Sequence, residues 1–248
     1  MRQEKFHISK EHAAGMRTAA IKKKWELTPY DIRRGKNIHK NEQVSPVNKE
    51  TMFHAGLYCI LSASEIYTKQ MRAYNDLFRY GLDKPEIIVN DKSGLEYVLR
   101  IARFPNQKSS RVYNFAVWWL ESNLPDKLIE DIAHDRKDEI EIRNELAKDC
   151  PGLSYKGASL YLGKFGYQQV VPLDIWMLRF LHDLGYDIPV PDYKTVSGLQ
   201  KGEYLKGEKI FRKLAKKQNL TPMVYQCALW GKHSAWEEKV SIRCLSEF

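Results

Sequence analysis

The stretch from Asp138 to about residue 166 does most to limit what this 248-residue chain can fold into. A charged, helix-prone segment (Asp138 to Asp149) runs into Cys150-Pro151-Gly152-Leu153-Ser154-Tyr155, and a second helix-prone segment begins at or next to Lys156. Proline and glycine side by side stop one helix and turn the chain tightly enough for another to start. Such a hairpin can aim several backbone N–H groups outwards, and the following helix N-terminus adds its positive end. Together they make an anion site suited to a phosphate. Gly152, Ser154 and Tyr155 supply those donors, with Leu153 as the apolar plug. Eighteen residues after Lys156, Asp174 stands in Val-Pro-Leu-Asp-Ile-Trp, just before another apolar helical run. A lysine at a helix start and a carboxylate beyond the next turn read as two halves of one catalytic site.

The rest of the chain is read as helices. Residues 9 to 25 form one, with Ser9 as N-cap and His12 at N3. The basic run Lys22-Lys23-Lys24 closes it, and Arg33, Arg34, Lys36 and Lys40 continue the charge through a loop, as a solvated surface or a phosphate-contacting arm. Over residues 48 to 80, Phe53, Leu57, Ile60 and Leu61 follow the spacing of a buried helix face, continued by Ile66. Ser62, Ser64 and Thr68 interrupt it, either to line a cleft or to break the helix. Glu86 to Asn90 has strand-like composition but no pairing partner and is assigned to loop. Leu95 to Ala102 is a helix ending near Pro105. Asn106 to Arg111 then leads into a helix carrying Val112, Phe115 and Trp119, with Lys108 and Arg111 at its start as phosphate contacts or plain surface. Lys127 to His134, Asp174 to Leu184, Gly202 to Gln218 and a last helix after Thr221-Pro222 complete eight to ten helices with almost no strand. The fold expected is all-α.

Forty basic against thirty-one acidic residues give a net charge of +9, which points to a polyanionic partner, nucleic acid being the usual one. The apolar runs are too short to span a membrane, and the N-terminus lacks a signal-peptide core, so a soluble intracellular protein is expected. Cys59, Cys150, Cys227 and Cys244 are scattered with no C-x-x-C pair, and the seven histidines show no ligand spacing. No catalytic transition metal and no iron–sulfur cluster are expected.

Pro151-Gly-Leu-Ser-Tyr-Lys156 resembles the helix-hairpin-helix signature Pro-Gly-Ile/Val-Gly-x-Lys, with Ser154 in place of the second glycine. The longer run from Pro151 to Tyr167 and on through Val170-Val-Pro-Leu-Asp174-Ile-Trp-Met-Leu-Arg-Phe-Leu181 resembles the helix-hairpin-helix DNA glycosylase superfamily. Within it, the chain is most similar to the archaeal-type (type 2) 8-oxoguanine DNA glycosylase/AP lyase branch. Weaker similarity covers Phe53 to Ser64, Arg103 to Arg111 and Leu220 to Trp230.

The resemblance implies one glycosylase unit over residues 1–248, built as two helical subdomains with the active site in the cleft between them. The N- and C-terminal helices would form one subdomain and the middle of the chain the other. It also implies Lys156 as the Schiff-base nucleophile, Asp174 as the catalytic aspartate, and double-stranded DNA with a modified base as the partner of a monomeric enzyme. Localisation would be cytoplasmic, at the nucleoid, if the source is prokaryotic. No cofactor is implied beyond a monovalent cation at the hairpin, by analogy. The last helix is expected to contribute Tyr225, Gln226 and Trp230 to the base pocket, with Phe53 as stacking partner.

The branch uses a C-terminal lysine to help read 8-oxoguanine, whereas this chain runs on past Trp236 to Ser-Glu-Phe248. The excised base is therefore 8-oxoguanine as first guess, with another oxidised or modified base, including one of foreign DNA, as the alternative. A non-enzymatic DNA-binding protein that uses the hairpin only as a clamp is the third reading.

Overall fold

The computed structural model describes residues 19–134, 138–190 and 199–233, and every regular element among them is a helix. Residues 19–25 (α1) are followed by α2 (Pro29–Asn41), α3 (Lys49–Leu61), α4 (Tyr67–Arg79), α5 (Pro85–Asn90), α6 (Lys92–Leu99) and α7 (Pro105–Glu121). Then come α8 (Leu124–His134), α9 (Glu139–Asp149), α10 (Tyr155–Gly163), α11 (Ile175–Asp183), α12 (Lys201–Lys217) and α13 (Pro222–His233). Ser9, His12, Trp236 and the terminal Ser-Glu-Phe248 lie outside the described residues. None of the described helices is long and apolar enough to cross a membrane.

The all-α expectation holds, with more helices than the spacing suggests, and local chemistry explains the extra ones. Arg33, Arg34, Lys36 and Lys40 are on α2 rather than in a loop. Thr28 and Asp31 form a reciprocal capping box there, with Pro29 in the first turn. Glu86 to Asn90 is also helical, within α5, started by Pro85 and anchored by Ile88, which is fully buried. The long signal over 48–80 splits at Ser62, the C-cap of α3, whose hydroxyl donates to Cys59 O at 2.8 Å. Ser64 then takes a left-handed conformation (φ 52°), which an α-helix cannot contain.

The helices bury two hydrophobic clusters. One is built on α3, α4 to α7, α9 and α10, with Phe53, Leu57, Ile60, Phe115, Tyr161 and Leu162 at its centre. The other joins Trp25 to Val171, Leu173, Met177, Phe180, Phe211, Tyr225 and Leu229. α13 serves both, since Met223 and Cys227 enter the first and Tyr225 and Leu229 the second. It is held close to α2 by small residues: a Cβ on Gly35 would come within 2.6 Å of the Ala228 backbone nitrogen. Gly35→Ala is therefore expected to push the two helices apart and to cost about 1–3 kcal/mol, read as a lower midpoint in thermal unfolding. An unchanged midpoint would mean the crossing has slack.

Candidate active site

The hairpin ends α9 and starts α10 by local chemistry. Cys150 closes α9, its N–H bonding Leu146 O at 3.0 Å, and Gly152 makes the turn with φ 85°. That positive φ favours glycine, and a Cβ there would also meet Ile60 at 3.1 Å and Arg111 at 3.3 Å. Leu153 is buried in the first cluster. Ser154 replaces a signature glycine without strain, because as N-cap of α10 it sits in the extended region (φ −79°, ψ 176°), and its Oγ accepts from the Gly157 N–H. Helix geometry leaves the first N–H groups of α10, those of Tyr155 and Lys156 among them, without an intrahelical acceptor. Tyr155 itself is packed beside Tyr204, with ring centroids 5.5 Å apart.

Lys156 is in the first turn of α10, half-buried, and its Nζ donates to Ser62 Oγ at 3.2 Å. The Ser62 hydroxyl proton is directed to Cys59 O, so its oxygen is left to accept from the amine. Asp174 caps α11, and its Oδ1 accepts from the N–H groups of Trp176 (2.9 Å) and Met177 (3.0 Å). Both capping bonds use one oxygen. Burial pushes the Lys156 pKa down, opposed by the negative field of Asp174 and by Cys59. Burial likewise pushes the Asp174 carboxyl up, opposed by the Met177 N–H, Lys156 and the Trp176 N–H. The pair thus shares one environment, in which the lysine is biased towards the neutral amine and the aspartate towards accepting a proton.

A buried polar network fixes these two helix starts relative to one another. Arg143 of α9 makes two 2.7 Å bonds to Glu208 of α12 and a third, at 3.2 Å, to Ser159 of α10. Ser159 meets Tyr204 at 3.1 Å, and the Tyr204 hydroxyl donates to Val171 O, three residues before Asp174. The chain of bonds thus links the helix bearing Lys156 to the segment that leads into Asp174. Neither Arg143 nor Glu208 stands out in the sequence, where each reads as one more charge on an amphipathic helix.

The other expected site residues divide. Arg111 is half-buried against Gly152. Lys108 is not a phosphate contact: it is 2% exposed, ion-paired with Glu65 at 2.7 Å, and donates to Leu61 O at 2.9 Å. Phe53 is not available to a base, being 1% exposed and stacked on Phe115 at 5.2 Å. Tyr225 is likewise committed to the second cluster, against Phe180 and Phe211. Gln226 is buried and accepts from the Cys227 thiol at 3.5 Å, while Trp230 is half-buried between the two clusters. The Cys59 thiol beside the site is pushed up to about 12 by burial, which leaves it unreactive at neutral pH. Among the described residues no group of three or more His, Cys, Asp or Glu could hold a metal ion.

A separate cavity of about 560 Å³ opens between α2, α3, α4 and the end of α10. Arg33, Asn37, Asn41, Tyr58 and Tyr67 line it, together with Lys164, which is paired to Glu42 at 3.0 Å. Arg33 and Arg34, which the sequence pattern assigns to a loop arm, therefore border a cavity.

Known proteins resemble this chain in both sequence and fold. The family model described as 8-oxoguanine DNA glycosylase matches residues 35–220, a span that includes the hairpin, Lys156 and Asp174. The 8-oxoguanine DNA glycosylase/AP lyase of Sulfolobus acidocaldarius is 29% identical over 178 residues, covering 70% of this chain and 77% of that protein. The protein of the same description from Picrophilus torridus is 25% identical over 199 residues, covering 78% and 84%. In fold, the chain is similar to Methanocaldococcus jannaschii 8-oxoguanine glycosylase/lyase, solved in complex with a 15mer DNA containing 8-oxoguanine. The TM-score is 0.59 at 20% identity, covering 90% of this chain and 97% of that one. With the family model spanning most of its length, this chain belongs to the helix-hairpin-helix 8-oxoguanine DNA glycosylase family.

Proposed function

We propose that this protein is a DNA glycosylase with AP lyase activity that removes 8-oxoguanine from duplex DNA through a Schiff base on Lys156. The observation that carries this reading is the Lys156–Asp174 pair, with each group pushed towards its neutral form at the start of a helix. Membership of the family and the activity for which the relatives are named support it.

The bond to be cut lies inside the base stack, so the nucleotide is first extruded into the cleft. The hairpin donors and the start of α10 hold the DNA backbone through a phosphate, a contact that positions the duplex without reading sequence. The neutral Lys156 amine gives its lone pair to C1′ as the C1′–N9 bond breaks and the electron pair leaves with the base. Asp174 stabilises the positive charge that develops on the sugar and takes the proton the amine must lose. The nitrogen lone pair then forms the C1′=N bond as C1′–O4′ breaks, O4′ takes up the proton held by Asp174, and the ring-opened Schiff base results. Loss of a C2′ proton then expels the 3′ phosphate with its electron pair and nicks the strand. A monovalent cation on the hairpin carbonyls is compatible with this reading, and no step runs through it. The enzyme would act at the nucleoid, in the cytoplasm of a prokaryotic cell.

The test is a panel of duplexes, each with one altered base, scored for base release, nicking and borohydride trapping. Release and nicking at 8-oxoguanine are expected. Release confined to a different base would reassign the substrate, and active enzyme without a trapped adduct would sink the lysine mechanism. Asp174→Asn is expected to slow base release by about 10²–10⁴-fold while duplex binding is kept, since asparagine caps a helix as well as aspartate does. A near wild-type rate in that variant would remove Asp174 from the chemistry.

A further inference from the structure

The end of α3 leaves one backbone carbonyl short of a helical partner. The Ala63 N–H bonds Ile60 O at 3.3 Å instead of reaching back four residues to Cys59 O. Ser64, with φ 52°, then turns the chain out of the helix. A carbonyl left over at a helix end needs another donor, and Cys59 O takes the Ser62 hydroxyl proton at 2.8 Å. Cys59 is buried, where a carbonyl without a donor is costly, so that proton is committed.

The consequence falls on Lys156. Its Nζ donates to Ser62 Oγ at 3.2 Å, and among the described residues this is the amine's one hydrogen bond. The charged or titratable groups facing the amine are Asp174 at the start of α11, Cys59 on α3 and Lys108 on α7. None of these is hydrogen-bonded to Nζ, and Lys108 is itself paired with Glu65. A serine free to rotate would offer its O–H to the lone pair of a neutral amine and occupy the electrons needed for attack. Ser62 has its proton engaged and can only accept. The bond therefore uses an N–H of the amine and leaves the lone pair unoccupied.

We propose that Ser62 is a positioning residue for Lys156: an acceptor-only hydroxyl, its proton held by Cys59 O, that anchors the amine through an N–H and keeps the lone pair free for the sugar. The proposal rests on the Schiff-base reading of Lys156.

Ser62→Ala removes the acceptor, and two changes of opposite sense are expected. An ammonium donates a stronger, charge-assisted bond to the hydroxyl than a neutral amine does, so losing that bond favours the neutral form. The rise of borohydride trapping with pH on abasic DNA should therefore move to lower pH. The level reached at high pH should nonetheless fall about 10–100-fold, because the amine is no longer held in place. A serine that only closes α3 predicts the reverse shift. A loosened helix end admits water to Lys156 and returns the rise towards the ordinary lysine value of 10.5. Ser62→Thr keeps the hydroxyl and should restore both the position of the rise and its level to within about threefold.

The titration of Lys156 can also be followed without DNA, from the ε-carbon resonance of protein labelled with carbon-13 in lysine and assigned by its loss in Lys156→Gln. The midpoint should be lower in Ser62→Ala than in wild type. An unchanged trapping level at high pH, a midpoint that stays or rises, or a threonine variant that fails to rescue would each overturn the proposal. A wild type that forms no adduct would count against the Schiff-base reading, and the resonance titration would still decide whether Ser62 holds the amine.

Discussion

Replacing Lys156 by glutamine is expected to abolish the borohydride-trapped adduct and strand nicking, while duplex binding stays within a few-fold of wild type. Glutamine keeps a donor for Ser62 Oγ but has no lone pair able to form an imine. The loss in base release should be on the order of 10³–10⁶-fold, the range seen when a positioned nucleophile is removed from a site that otherwise still binds. The variant should also fold well. The lysine pKa is lowered from 10.5 on folding, so between the lowered value and 10.5 the unfolded chain binds more protons and stability rises with pH. At neutral pH the downward shift of the lysine is therefore a cost that glutamine removes.

The same shift predicts a pH profile. Trapping on abasic DNA should rise with pH as the amine loses its proton and level off below the ordinary lysine value of 10.5. Asp174 raises the Lys156 pKa, so Asp174→Asn should move that rise to lower pH. Any adduct formed by the glutamine variant would refute the assignment, as would a rise centred at the ordinary lysine value.

The second large effect is structural. Glu208→Ala strands the Arg143 guanidinium, whose side chain has no exposed surface and whose Nη1 and Nη2 each bond a Glu208 oxygen at 2.7 Å. Burial opposes that charge, and the Glu208 bonds more than offset it, so the Arg143 pKa is raised. Removing one partner of such a pair costs about 3–5 kcal/mol, roughly a fifth or more of the stability of a domain that has roughly 5–15 kcal/mol in all. Urea unfolding would measure it. Removing both charges, with Arg143→Met and Glu208→Leu together, should recover most of the loss, because the penalty lies in the uncompensated charge rather than in the missing bridge. A single variant that loses less than about 1 kcal/mol, the scale of an exposed pair, would show that water reaches Arg143.

The local part of this protein is legible in its sequence. Helix starts at Thr28, Asn48, Asp138 and Asp174 depend on side chains that bond N–H groups two or three residues away, and the hairpin depends on adjacent Pro151 and Gly152. Such information is contained in the residues themselves, so the all-helical fold and the Lys156–Asp174 spacing follow from them. Two differences between pattern and structure are also local. The basic residues of α2 mask the Thr28–Asp31 capping box that starts it, and the β-branched run Ile87-Ile88-Val89 masks the helix that Pro85 begins.

What the tertiary structure alone decided was where charge and aromatic rings ended up. Lys108 near a helix start and Phe53 on an apolar stripe carry no mark in sequence of being sealed against Glu65 and Phe115. The Arg143–Glu208 contact joins residues 65 positions apart. Ile66 reads as one more residue of a buried face until the chain breaks at Ser62 and turns it outward. Desolvation and pairing depend on what packs over a group, and that is set by segments distant in the chain. The residue types and their local spacing point to Lys156 and Asp174. Burial, which shifts both pKa values, and the network that holds two helix starts in register give the two side chains one shared environment.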